Sequence, residues 1–157
     1  MAQKITADKN YTLVAQIMQV SDIFVKVRER ELMPQNLSAT AAEILFLVNA
    51  MGEDVTPARI TRMMLREAHS VSGILMRMET HGLIKRTKNM ERKNLIRITL
   101  TDNGKKALKK SMELKGTTHI ISKLTAAQQR ELKVMLTALK EAGMKELRLS
   151  PKALPWP

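Results

Sequence analysis

A mainly helical α+β fold, with one short β-hairpin set among helices, follows from three features of this 157-residue chain. Apolar side chains recur at helical spacing over most of its length. Two strand-like runs, Ile84–Lys88 and residues 93–100, flank a polar tip. Capping and turn residues stand between the segments, where helix ends need them.

Residues 9–33 carry Leu13, Ile17, Val20, Phe24 and Val27 at alternating spacings of four and three, with Val14 and Met18 widening the stripe. This predicts a long amphipathic helix ending before Pro34. A second helix follows Leu37, capped either by Ser38 or by Thr40, which has Glu43 three residues on. Ile44, Leu45, Leu47 and Val48 leave it apolar almost all round, which predicts a central position, and Gly52 ends it. Thr56-Pro57 opens a third helix with the hydroxyl as N-cap and proline in the first turn; Ile60, Met63 and Met64 form its inner face. A fourth begins near Ser70 and runs to Gly82, a residue suited to a left-handed C-terminal cap. In the second strand Ile96, Ile98 and Leu100 face one way, and Leu95, Arg97 and Thr99 the other. Thr101 caps a fifth helix expected to continue through Leu108 and Met112 towards Leu124, with Gly116 loosening its middle. Thr125 caps a sixth, striped by Leu132, Met135, Leu136 and Leu139. The tail SPKALPWP is proline-rich and expected to be extended.

Composition narrows the function. Lys and Arg total 27 against 15 Asp and Glu, a formal charge of +12, which implies a polyanionic partner. The charge is local. Ten basic residues (Lys85, Arg86, Lys88, Arg92, Lys93, Arg97, Lys105, Lys106, Lys109 and Lys110) face only Glu91 and Asp102 in that stretch. The bland alternative is a generically basic protein; clustering favours an electrostatic footprint for nucleic acid. With no cysteine, disulfides, thiolate catalysis and Cys-ligated zinc are excluded. The N-terminus lacks the apolar core of a signal peptide, and no apolar run could span a bilayer, so a cytoplasmic protein without a membrane partner is expected.

The fourth helix has two unlike faces. Val71, Ile74, Leu75 and Met78 are expected to pack inward, while His69, Ser70, Ser72, Gly73, Met76, Arg77 and Thr80 face out. Small polar residues in the first turns suit close approach to base edges and phosphates. Gly73 costs roughly 1 kcal/mol against alanine in a helix interior, and close approach to a large partner is one reason to keep it. Arg59, Arg62 and Arg66 lie along one side of the third helix and are candidates for gripping the DNA backbone, although solvated arginines are common there. Arg86, Lys88, Arg92 and Lys93 bracket Asn89 at the hairpin tip, a cationic shape that fits a minor groove. The plainer reading is an edge kept soluble by charge. His69, His81 and His119 carry no metal-ligand spacing, so neither a metal nor a cofactor is expected.

At these residues, residues 37–106 resemble a winged helix-turn-helix of the multiple-antibiotic-resistance-regulator (MarR) family. The matching pieces are NLSATAAEILFLV, TPARITRMM, HSVSGILMRMETHGLIKR and KNLIRITLTDNGKKAL. The flanking helices also match the family's dimer-forming segments. The resemblance implies one domain over 1–157, with a winged helix-turn-helix at 37–104, dimerisation helices at 9–33 and 105–147, and the tail at 150–157. It implies a homodimer on a palindromic operator, with Ser70, Ser72, Gly73 and Arg77 on the recognition helix; His69 is expected to join them as a contact at the helix entry, and a repressor released by a small molecule is the expected regulator. Arg86, Lys88, Asn89, Arg92 and Lys93 would form the wing. Many members carry Asp-x-Arg in the wing; here Glu91-Arg92-Lys93 is the nearest match. The heptad-like stripe of Leu13, Ile17, Val20 and Phe24, with Leu132, Met135, Leu136 and Leu139, is the expected dimer interface. The family often places small-molecule effectors in a crevice between the dimer helices and the winged domain; no effector residues can be read from the sequence. The twelve methionines are expected to be chiefly core filler.

Three other classes compete. A low-specificity, nucleoid-type DNA-binding protein would share the basic wing and lose affinity with salt almost equally for all sequences. A protein-docking module would favour aromatic anchors, yet the chain is only 3% aromatic. No cysteine, paired carboxylate motif, phosphate loop or histidine cluster suggests an enzyme.

Overall fold

In the computed structural model, which describes residues 8–52, 55–88, 95–113 and 115–149, the chain opens with a 24-residue helix, α1 (Lys9–Leu32). A 3-10 turn over Met33–Gln35 takes up Pro34 and ends at Asn36 in the left-handed region. The next helix, α2 (Ala39–Met51), is capped by Ser38, whose Oγ accepts the Ala41 N–H at 3.1 Å. Thr40, the other candidate cap, already lies inside the helix, so Glu43 has no capping role. Ile44, Leu45 and Leu47 have no exposed surface, and α1, α3, α5 and β2 all pack against this helix. An all-round apolar helix sheds water only when it is surrounded, so α2 takes the centre.

The third helix, α3 (Pro57–Met64), starts as its sequence dictates, with Thr56 Oγ1 accepting the Arg59 N–H at 3.2 Å. It ends at Leu65, a non-glycine residue with φ 51°, after which α4 (Ala68–Thr80) begins two residues earlier than expected. Gly82, at φ +65°, closes α4. Its N–H donates to the Glu79 carbonyl, and that of Leu83 to the Met78 carbonyl, each at 2.9 Å. This paired cap reverses the chain into β1 (Ile84–Lys88).

β1 pairs antiparallel with β2 (Ile96–Leu100), Ile84 opposite Leu100 and Lys88 opposite Ile96. Ile98 also donates its N–H to the Val55 carbonyl at 2.9 Å, tying the hairpin to the segment before α3. The Thr101 hydroxyl has two jobs. It accepts the Gly104 N–H at 3.0 Å to cap α5 (Asp102–Ser111), and donates to the Gly82 carbonyl. A Cβ on Gly104 would collide with the Leu83 carbonyl oxygen, so only glycine lets α5 lie this close to the end of α4.

The expected single helix from Thr101 to Leu124 is two helices. α5 stops at Ser111, and α6 spans Lys115–Ile121. Gly116 does more than loosen a helix: it permits contact with α1. A side chain there would meet Val27 Cγ1 at 2.8 Å, and its N–H donates to the Glu31 carboxylate. The break lets α6 turn onto α1, contacts that a continuous helix could not make. The last helix, α7 (Ala126–Glu146), carries a full capping box between Thr125 and Gln128 and makes only slight contact with the rest of its own chain. The expected tail over 150–157 lies outside the described residues.

Candidate nucleic-acid interface

α4 is held from behind. Val71, Leu75 and Met78 are buried in the common core and Ile74 is half-buried against it. The opposite face carries His69, Ser70, Ser72, Met76, Arg77 and Thr80, all exposed. Gly73 stands among them with open space where a side chain would project. No side chain caps the N-terminus of α4, which follows Glu67, and the helix therefore presents first-turn N–H groups beside His69 and Ser70. Arg77 and His81, at the C-terminal end of α4, line a cavity of about 400 Å3 with Asn36 and Ser38 at the start of α2.

Arg59 and Arg62 are exposed on α3, one element before α4. Of the hairpin residues singled out in the sequence, Lys88 is exposed at the end of β1. Arg86 is half-buried: its N–H donates to Glu79 Oε1 at 3.1 Å, and its guanidinium lies 3.8 Å from Glu79 Oε2. It thus ties the base of the hairpin to α4. Asn89, Arg92 and Lys93, with Glu91, lie outside the described residues.

The terminal helices leave broad apolar faces uncovered. Leu13, Ile17 and Val20 on α1 and Met135, Leu136 and Leu139 on α7 are each more than two-fifths exposed, while Phe24 and Leu132 are half-buried. Apolar surface of this extent marks a contact surface rather than a solvated one.

One site was not legible in the sequence. A crevice of about 790 Å3 opens between α1, α2 and α5. Val25, Ala39, Phe46 and Met112 form apolar walls, and Arg28, Glu43 and Arg66 bring charge to it. Burial pushes the Glu43 carboxyl above the usual carboxylate range, while the nearby Arg66 and Arg28 guanidiniums pull it partly back. Arg66 therefore belongs to this crevice, apart from Arg59 and Arg62. Residues so far apart in sequence carry no shared spacing, and only packing brings them together. Among the described residues no three His, Cys, Asp or Glu side chains are placed to hold a metal ion. None of the described helices is long and apolar enough to cross a membrane.

The fold has counterparts in known proteins. The chain is similar to the organohalide-sensing transcriptional regulator RdhR in its 2,4-dichlorophenol-bound form, at 30% identity over 87% of this chain and 82% of that one, with a TM-score of 0.78. It shares its fold with a mutant of MarR from E. coli complexed with operator DNA, at 19% identity over 85% and 99% of the two chains and a TM-score of 0.76. The MepR–DNA complex from S. aureus matches at 18% identity over 87% and 99%, with a TM-score of 0.73. No match was found among curated protein sequences. The family model that matches residues 35–93 is that of the MarR family. With helix, turn, recognition helix and hairpin in the winged-helix order, and a 30% identical regulator matched over most of both chains, this chain belongs to the MarR family of DNA-binding transcription regulators.

Proposed function

We propose that the protein is a homodimeric repressor that binds a palindromic operator and is released by a small molecule. The observation that carries this reading is the two-sided α4: a buried apolar back and an exposed polar face with Arg77 at one end and Gly73 in the middle. His69, Ser70, Ser72, Gly73 and Arg77 approach the major groove, with Lys88, Asn89, Arg92 and Lys93 in the flanking minor groove. Arg86 holds the hairpin to α4, while Arg59 and Arg62 contact phosphates. The exposed stripes of α1 and α7 pair two such heads, and the protein works in the cytoplasm, where its DNA is.

The crevice is the effector site. Its apolar walls suit a small aromatic body, and Arg28, Glu43 and Arg66 suit a single polar or weakly acidic group. RdhR has been seen with 2,4-dichlorophenol, which makes that compound the first to try. Selection from a random duplex library tests the main reading. It is expected to yield a palindrome with half-sites about one helical turn apart, and 2,4-dichlorophenol or a related phenol is then expected to lower affinity for it.

Lys105, Lys106, Lys109 and Lys110 are all exposed on α5 and favour a second reading, DNA binding with little sequence preference. Competition decides between the two. A regulator keeps a preference of roughly a thousandfold or more for its operator, whereas a nucleoid-type protein binds any duplex with the same salt dependence.

A further inference from the structure

The expectation that the methionines are chiefly core filler does not hold among the described residues, since Met18, Met33, Met76, Met112 and Met135 are all exposed; of these only Met76 lies on the outer face of α4. Met63, Met64 and Met78 are buried around α2 and α4, but Met76 is 58% exposed on the opposite face of α4, among His69, Ser72, Gly73, Arg77 and Thr80. Side chains on a helix lean towards its N-terminus, over the residues three and four positions back. For Met76 those residues are Gly73 and Ser72. A Cβ on Gly73 would meet nothing within 4 Å, so one turn of α4 offers a shallow notch with a flexible thioether above it.

A thioether is a poor reader of hydrogen-bond patterns, having no donor and only a weak acceptor. What it can do is cover an apolar group. The major groove exposes one such group in unmodified DNA, the C5-methyl of thymine. We infer that Met76 is a specificity-determining residue that packs on a thymine methyl in each operator half-site, with Gly73 leaving room for the base edge. This rests on the proposed operator-binding function. Neighbouring side chains supply the polar contacts. Thr80 is the exception, because its hydroxyl donates to the Met76 carbonyl at 3.0 Å and offers the DNA only its remaining acceptor capacity and its methyl group.

Thymine-to-uracil scanning of the selected operator tests the inference, because it deletes the methyl and leaves every hydrogen-bonding group in place. At one position per half-site the substitution is expected to weaken the unaltered protein about fourfold, and roughly fifteenfold when made in both, from the burial of one methyl group each. Met76→Ala is expected to bind the thymine operator roughly tenfold more weakly and to treat thymine and uracil alike at that position. Met76→Leu, which retains an apolar end, is expected to keep the contrast. No uracil-sensitive position, or one that stays equally sensitive in Met76→Ala, would overturn the role of Met76 while leaving operator binding intact. Failure to select any preferred duplex would overturn both readings together.

Discussion

Three residues show how single positions serve different ends. Gly73 has no neighbour that a methyl group would meet, so nothing inside the chain requires it. Gly73→Ala is therefore expected to raise stability by about 1 kcal/mol in denaturant melts, while weakening operator binding in fluorescence titrations. A more stable variant with unchanged affinity would return Gly73 to the solvated surface. Gly104 is the opposite case, since the Leu83 carbonyl stands where its Cβ would go. Gly104→Ala is expected to cost about 1–3 kcal/mol by forcing α5 away from the end of α4, measurable by the same melts. Glu43 is the third. Its carboxyl is held above the ordinary range by burial, against the pull of Arg66 and Arg28, so the folded state binds its proton more tightly than the unfolded chain does. Its contribution to stability is full below the unfolded value and falls as pH rises through the higher folded value. Glu43→Gln should remove that fall, making the variant more stable than the parent near neutrality and equal to it in acid, as thermal melts across pH would show.

Among elements, helix caps were the most legible features, whereas the second strand, expected from residue 93, begins in the structure only at Ile96. Ser38, Thr56, Thr101 and Thr125 each cap the helix that follows, because a side-chain oxygen can satisfy a free first-turn N–H only from that position. Helix length was less legible. The apolar pattern runs on past Met112, and nothing local says that the chain must turn at Ser111 to set Gly116 against Val27 and Glu31. The hairpin has a functional consequence at this scale. Arg86 is partly engaged with Glu79, whereas Lys88 is exposed at the end of β1. Arg92→Ala is expected to weaken operator binding by about 1–3 kcal/mol with the dimer intact. Unaltered affinity at low salt would remove the wing from the interface.

For the whole molecule the unanswered demand is cover for α1 and α7. Their apolar side chains find little to pack on within one chain, and a second copy supplies matching faces without further sequence. Replacing Val20 and Phe24 with glutamate is expected to yield monomers in sedimentation velocity and to abolish tight binding to the full palindrome, with a single half-site bound only weakly. A variant that still sediments as a dimer would refute this interface. The crevice beside Glu43 lies where α1 meets α2 and α5. A ligand that favours one arrangement of those helices would change the distance between two recognition helices, and release follows if that spacing no longer matches the operator.

Local sequence specifies the order of elements from α1 to α5, the central position of α2 and the inner and outer faces of α4. Each of these depends on periodicity or on a cap, which are local and survive in one dimension. Tertiary structure alone decided the break between α5 and α6, the engagement of Arg86 with Glu79, and the gathering of Arg28, Glu43 and Arg66 into one crevice. Those features arise where segments distant along the chain are forced together by burial of a shared core, and no spacing within any one segment encodes them.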